Sequence, residues 1–423
     1  MKSIDFLEFK GTSHEDWLKK VEADLKGKKP EELNQSFQDL SYGAFYHPDA
    51  HQSEGGVQVA NNDWLIRKSI EVQPAAHFNQ SLMSMLKEGL QNPVIRGEFK
   101  SKEHLAESLE GLIPDYVRLD FELLGNPEQY QWAREWLQSN AQDYDSLQGG
   151  FNLHPETGSE LAKSIEALVC PFSAYTLYGS DAQSRGAFAT TELAILLHEL
   201  SGLVPEVGDN VRKNVQFVLG LGLDYFGEIA KLRAARNLFE FLLSQYGIES
   251  QEELFIAAQT TAWSFTAYDR YNNLLRNSSA GLAAVIGGAN ALELLPHDLL
   301  VKRPNHFSGH LSITTQHMMK EESYLNRVVD PAQGSYFLEE LTAKIEAEAW
   351  SKFQKLESGA SSAEMIQQDK DAQLAGFESG SQKVLGVNLF PNEEERLSGE
   401  IEIQLNGLDR LTQEAEKNRL EDE

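Results

Sequence analysis

From about residue 64 onward, short apolar runs alternate with segments of helical periodicity. This alternation constrains the fold more than any other feature of the chain. Strand candidates are PVIRGE (93–98), YVRLDFEL (116–123), LQGGFNL (147–153), ALVCPFSAYTLY (167–178), NVQFVLGL (214–221), LFIAAQTT (254–261), NALELL (290–295) and VLGVNLF (384–390). Helical stretches lie between most of them, the clearest at 79–90, 130–140, 160–168, 191–202 and 226–247. Eight strands with intervening helices predict an α/β chain folded as a (β/α)8 TIM barrel, whose chemistry gathers at the C-terminal ends of its strands. A length of 423 residues leaves room for extensions at both ends.

The first 62 residues do not share the rhythm. Residues 12–27 read as a helix, capped by Thr12 with Glu15 or by Ser13 with Asp16, and stopped at Gly27. Trp17, Val21 and Leu25 fall on one face of it. A short helix restarts at Pro30, and 35–62 looks irregular. This is an arm that needs a surface to lie on. At the other end, PNEEERLSGEIEIQ and LEDE make the chain strongly acidic, which predicts a solvated tail. The expected division is therefore an arm over 1–62, a barrel over 63–392 and an acidic helical tail over 393–423.

A net charge of −28 repels phosphate backbones and anionic membranes, so nucleic acid and membrane partners are not expected. No apolar run approaches the ~18 residues of a spanning helix, and the N-terminus lacks a signal-peptide core, so a cytoplasmic protein is expected. Cys170, the single cysteine, excludes an internal disulfide and reads as a small core residue. Two histidine pairs stand four residues apart, His47 with His51 and His306 with His310. Neither has a glutamate placed as in zinc proteases, and no metal site is expected. His198, inside AILLHEL, reads as an ordinary packed or surface histidine.

Three other stretches stand out. LYGSDAQSRGA (177–187) joins a strand to a helix, and Asp181 at that junction is either a catalytic carboxylate or a structural partner for the helix end or Arg185. On the helix over 226–247, Phe226, Ile229, Ala230, Ala234, Leu238 and Leu242 form an apolar face. Lys231, Arg233 and Arg236 read as a solvated basic edge or one facing a phosphate. Gly287 and Gly288 read as a helix stop, with no phosphate-loop spacing.

DYFGEIAKLRAAR (224–236), QTTAWSFTAYDRYNNLLR (259–276), ESYLNRVVDPAQGSYFLEELT (322–342) and VLGVN (384–388) together resemble the methylmalonyl-CoA mutase family of adenosylcobalamin-dependent acyl-CoA mutases. DWLKKVEADLKGK resembles that family's N-terminal arm. The resemblance runs from about residue 10 to about 390. It implies a barrel whose axis admits an acyl-CoA chain, an arm that contacts a second subunit, and a following cobalamin domain.

The departures are as informative. Catalytic members carry a pattern like Gly-Tyr-His-Met-Gln-Glu-Ala-Gly where this chain has Gly179 to Gly186, so Asp181 replaces the histidine that hydrogen-bonds the thioester carbonyl, while Gln183 persists. A pattern like Arg-Pro-Trp-Thr-Ile-Arg-Gln-Tyr becomes Asn62 to Ser69: Arg67 persists and Ser69 replaces the tyrosine. An Arg-Thr-His-Ser-Gln-Thr pattern becomes Phe255 to Thr260. The motif supplying cobalamin's lower histidine has no match. By resemblance this is the small (beta), non-catalytic subunit type, with no catalytic residue of its own, Ser69 and Asp181 as degenerate positions, and Arg67 and Gln183 as vestigial substrate contacts. It implies a heterodimer with a large (alpha) subunit that binds adenosylcobalamin, while this chain binds none. Two alternatives stand beside it: the barrel chain of a split acyl-CoA mutase of the isobutyryl-CoA type, and an acyl-CoA-binding module without chemistry.

Overall fold

A computed structural model describes residues 11–50, 59–155, 171–249, 252–301, 305–397 and 409–422. The chain opens with helix α1 (His14–Asp24) and a hairpin of β1 (Gln35–Phe37) and β2 (Leu40–Tyr42). Strands β3 (Leu65–Glu71), β4 (Asn92–Gly97), β5 (Leu119–Leu123), β6 (Gly149–Leu153), β7 (Ser173–Tyr178), β8 (Val215–Leu221), β9 (Phe255–Thr260) and β10 (Ala291–Glu293) follow. They form a closed parallel barrel in chain order, and β10 pairs with β3 at Ala291–Leu65 and Leu292–Ile66. Around it lie α2 (Ala75–Lys87), α3 (Lys102–Ser108), α4 (Glu128–Asn140), α5 (Gly179–Ser184), α6 (Ala189–Val207), α7 (Tyr225–Gln245), α8 (Asn272–Ile286) and α9 (His306–His317). Helices α10 (Tyr336–Glu357), α11 (Ser362–Glu378) and α12 (Gln413–Asp422) complete the chain. The predicted (β/α)8 barrel is therefore the fold, although its strands are not the eight expected.

Two corrections explain each other. The first barrel strand is β3, which no apolar run announced. Its outward residues Ile66 and Ile70 enter the main core, while Arg67, Ser69 and Glu71 alternate with them, so the strand does not read as an apolar run. VLGVNLF, by contrast, is a turn. Val384 enters a small core with Trp263, Phe377 and Leu411, and the Asn388 side chain accepts from the Val384 N–H at 2.6 Å. Gly386 and Phe390 both adopt positive φ, which ends any strand there. Cys170, His51 and the predicted helix over 160–168 lie outside the described residues.

The capping box of α1 is Ser13 with Asp16, and Gly27 takes φ +100° after the helix. The stretch expected to be irregular contains the β1–β2 hairpin, which grips the outside of the barrel. Phe37 packs on Gly227 of α7, and Gln38 Oε1 accepts from the Ala189 N–H at 2.6 Å. Helix α1 itself buries no residue; Trp17 stacks on Phe45 at 4.7 Å.

The described part of the acidic end is not a solvated tail. Arg410, Leu411, Thr412 and Glu416 are buried, the Leu411 N–H donates to Trp263 O at 3.1 Å, and Glu416 Oε1 accepts from the Ala267 N–H at 2.8 Å. Arg410 pairs with Glu416, and Arg419 lies over the Tyr268 ring. The segment packs on the loop that follows β9. Among the described residues no helix is long and apolar enough to cross a membrane.

Candidate functional site

The inward residues of the strands form two polar layers. The deeper one fills the barrel axis. Arg67 Nη1 on β3 donates to Asp120 Oδ2 on β5 at 2.5 Å and to Asn92 Oδ1 on β4 at 3.0 Å. Asn92 Nδ2 also reaches Asp120, at 2.8 Å. From β8, Gln216 Nε2 donates to Asn152 Oδ1 at 2.8 Å and Thr176 Oγ1 at 2.8 Å, and to Asp120 Oδ1 at 3.3 Å. Arg118, just before β5, donates to Gln216 Oε1 at 2.5 Å. All of these side chains are buried. A network of this kind, linking β3, β4, β5, β6, β7 and β8 through their side chains, is a plug.

Gly150 shows how tightly the plug is fitted. A Cβ there would sit 2.5 Å from Gln216 Nε2, 2.6 Å from Asn152 Oδ1 and 2.7 Å from Asp120 Oδ1. Gly150→Val is expected to destabilise the chain by about 1–3 kcal/mol in urea unfolding, because the new side chain must displace partnered polar groups. Unchanged stability would mean the axis has spare room.

The upper layer lies at the C-terminal mouth. The Ser69 N–H and Oγ both donate to Glu293, at 2.7 and 3.0 Å. Glu122 Oε2 accepts from Arg96 Nη2 at 2.8 Å and from the Tyr178 hydroxyl at 3.0 Å. His154 lies flat against Tyr178, with ring centroids 5.2 Å apart. Burial, with Glu122 adding to it, pushes the Tyr178 hydroxyl well above the ordinary tyrosine range, so it remains a neutral donor committed to Glu122. Burial also raises the Asp181 carboxyl, with Glu122 adding to it and His154 opposing.

Asp181 therefore sits at the mouth as sequence reasoning placed it. It lies in the first turn of α5, where no side chain caps the helix, and Arg185 acts on it only as one of several charges that lower its pKa. Gln183 is buried: its Oε1 accepts from Thr261 Oγ1 at 2.5 Å, and the side chain lies over Gly220. Ser69 is tied to Glu293, and Arg67 belongs to the plug one layer below. The structure thus gathers Ser69, Asp181 and Gln183 around one mouth and places Arg67 beneath them. Glu71, Glu122, Asp181 and Glu293 gather there around Arg96, and the charge of Arg185 also acts on Asp181. Such a mouth offers acceptors where an incoming carbonyl needs a donor, and its charge opposes an anionic ligand.

Sequence reasoning missed Asn92, Arg96, Arg118, Asp120, Glu122, His154, Tyr178, Gln216 and Glu293. The available signal was polar residues at period two inside short runs, as in Arg118, Asp120 and Glu122. The basic edge of α7 is a further correction, since neither solvent nor a phosphate can reach it. Lys231 Nζ contacts Glu192 at 2.9 Å, Glu228 at 2.7 Å and Gly220 O at 2.5 Å. Arg233 pairs with Glu339 at 2.7 Å, and Arg236 donates to the carbonyls of Leu254 and Gly288 at 2.7 and 2.5 Å. His306 and His310 do share a face of α9, but both bind the carboxylate of Glu88, at 2.8 and 2.9 Å. Among the described residues no group of three or more His, Cys, Asp or Glu is arranged to hold a metal ion.

Residues 167–422 match the family model described as methylmalonyl-CoA mutase. The methylmalonyl-CoA mutase small subunit of Porphyromonas gingivalis is 26% identical, over 92% of this chain and 71% of its own length. The large subunit of Propionibacterium freudenreichii subsp. shermanii is 31% identical, over 56% of this chain and 35% of its own. The Escherichia coli mutase is 32% identical, over 46% and 29%. The chain thus spans most of the first relative and about a third of the other two. Among solved structures, the dihydropteroate synthase of Thermus thermophilus aligns with 63% of this chain and 99% of its own, at 14% identity and a TM-score of 0.33, too distant to bear on chemistry.

Proposed function

Because the chain belongs to the methylmalonyl-CoA mutase family, we propose that it is the small, non-catalytic subunit of an adenosylcobalamin-dependent methylmalonyl-CoA mutase. Its partner in this reading is a large subunit that binds the cofactor, and the heterodimer interconverts methylmalonyl-CoA and succinyl-CoA. The observation that carries the reading is the filled barrel axis. An acyl-CoA chain threading this barrel would have to displace the Arg67–Asp120 pair and the Gln216 network, leaving buried charges without partners. The mouth adds a second obstacle, since its carboxylates oppose the anionic substrate.

The mouth also does not fit a corrinoid. Its histidine lies flat against Tyr178, Ser69 is tied to Glu293 and both Arg96 and Tyr178 to Glu122, and Trp263 and Gln373 pack against the junction at Gly186. In this reading adenosylcobalamin sits on the partner. The two features that favoured acyl-CoA binding, Arg67 and the basic residues of α7, are all held by internal partners. Helix α1, which buries nothing of its own, supports an arm that lies on a second subunit.

The test is a mutase assay with adenosylcobalamin and methylmalonyl-CoA, run on this chain alone and with the large subunit encoded beside it. The expected result is no turnover alone, co-elution of the two chains, and activity that falls when this chain is left out. Turnover by this chain with only a separate cobalamin-domain protein would overturn the reading.

A further inference from the structure

Toward the lower end of the barrel axis, opposite the mouth, two arginines share one buried carboxylate. Arg67 and Arg118 both point into the barrel and share one carboxylate, Asp120. Arg67 holds it at 2.5 Å, while Arg118 Nε stays 3.8 Å away. Among the described residues, two guanidinium groups on one acid leave one buried positive charge without a counter-ion of its own, an arrangement that is costly unless something else supplies it.

Arg118 is only 9% exposed. Its guanidinium lies 3.6 Å from the centre of the Phe255 ring, and Nη2 donates to Gln216 Oε1 at 2.5 Å and Gly149 O at 3.4 Å. Its Nε has no hydrogen-bond acceptor among the described residues. The same residue lines a cavity of about 270 Å³, together with Gln91, Tyr116, Ser146 and Gln148. Leu65, Gln91, Arg118 and Gln148 sit at or just before the starts of β3, β4, β5 and β6, which places the cavity at the barrel's lower pole. Asp115 also lines it, but its carboxylate is turned to the N–H groups of Gln142 and Asp143, each at 3.0 Å. Burial brings the Arg118 pKa down to about 10, with Asp120 opposing the shift and Arg67 adding to it.

We propose that this lower cavity binds a small oxyanion, a carboxylate or a phosphate group, with the Arg118 guanidinium as its counter-charge and the neutral Tyr116 and Gln148 side chains at its rim. The plug immediately above confines such a ligand to the pole. The site is separate from the mouth and independent of the subunit reading: turnover of the heterodimer does not report on it, and its failure leaves that reading intact.

The test is thermal unfolding of the full chain, titrated with inorganic phosphate or with acetate, each compared with chloride at equal ionic strength. A saturable rise in Tm beyond the chloride series is expected, with a midpoint on the order of 1 mM for the preferred anion. The stronger of the two series identifies phosphate or carboxylate as the preferred group. Arg118→Gln should abolish the rise. Should that buried variant fail to fold, Gln148→Glu, at an exposed rim position, decides the matter by placing a negative charge at the entrance. It should weaken binding at least about fivefold, the size expected of one like-charge contact. Rises no larger than chloride's, or a Gln148→Glu titration matching the parent, would overturn the proposal.

Discussion

Lys231→Met is expected to lower the unfolding free energy by about 3–5 kcal/mol, because it strands two carboxylates in the core. Lys231, Glu192 and Glu228 are all buried, and the ammonium contacts both acids. Glu192 Oε1 also accepts from the Gly220 N–H at 2.7 Å, so the triad fixes the end of β8 beside the mouth. Burial alone would lower the lysine's pKa, but Glu192 and Glu228 more than offset it and the pKa is raised. That contribution is present below the ordinary lysine range and is lost only as pH rises through the raised folded value. For Glu192, burial raises the carboxyl, with Glu228 adding to it and Lys231 opposing. Removing the lysine removes the opposing influence. The variant's carboxyls will then take up protons more readily folded than unfolded, and its deficit should shrink as pH falls from about 8 to about 5. Urea unfolding at several pH values measures this. The triple variant that adds Glu192→Gln and Glu228→Gln should recover at least half of the loss at neutral pH. A deficit under about 1 kcal/mol, or one that grows on acidification, would show that the triad does not hold this core together.

Phe37→Ala is expected to have a comparable effect, about 3–5 kcal/mol, but confined to the arm. Phe37 is 2% exposed, although it belongs to a three-residue strand outside the barrel. Its ring fills the space above Gly227, where a Cβ would come within 2.2 Å of it. Beside it, Asp39 accepts from Thr190 Oγ1 at 3.0 Å and from Lys352 Nζ at 2.7 Å. Without the ring, the hairpin keeps only these polar contacts and the half-buried Leu40 and Tyr42, the latter against Phe337, so it should peel away while the barrel stays folded. Limited proteolysis should then cut the chain between α1 and β3, with the barrel's own thermal transition nearly unchanged. In the subunit reading, co-elution with the large subunit weakens in parallel. Proteolysis at the parent's rate would show that the hairpin does not depend on Phe37.

Much of the barrel was legible because most strands with outward apolar faces announce themselves as short runs between helices. β3 failed that test because the inward Arg67, Ser69 and Glu71 alternate with its apolar residues and break up the run, and residues 384–390 passed it although Gly386 and Asn388 close them into a turn. The site was legible only in outline. The junction at 177–187 was placed at the end of a strand from local pattern, and its aspartate in the position of a lost histidine from resemblance. The plug was not legible, since Arg118 and Gln216 lie 98 residues apart and nothing in their spacing says that they meet.

The fate of the charges divides sequence from structure most clearly. Along the chain, Lys231, Arg233 and Arg236 read as a basic edge, because helical periodicity predicts one face in and the rest out. α7 instead packs against α6, α8 and α10, so its polar flanks are as buried as its apolar one. The sequence by itself determined the order of strands and helices, the cap of α1 and the change of chemistry at the junction, since each depends on residues within a few positions of one another. Only the tertiary structure decided that the axis is filled, that the acidic end packs on the loop after β9, and that one aspartate must serve two arginines. Ion pairing follows distance in space, and burial is what makes a missing partner costly.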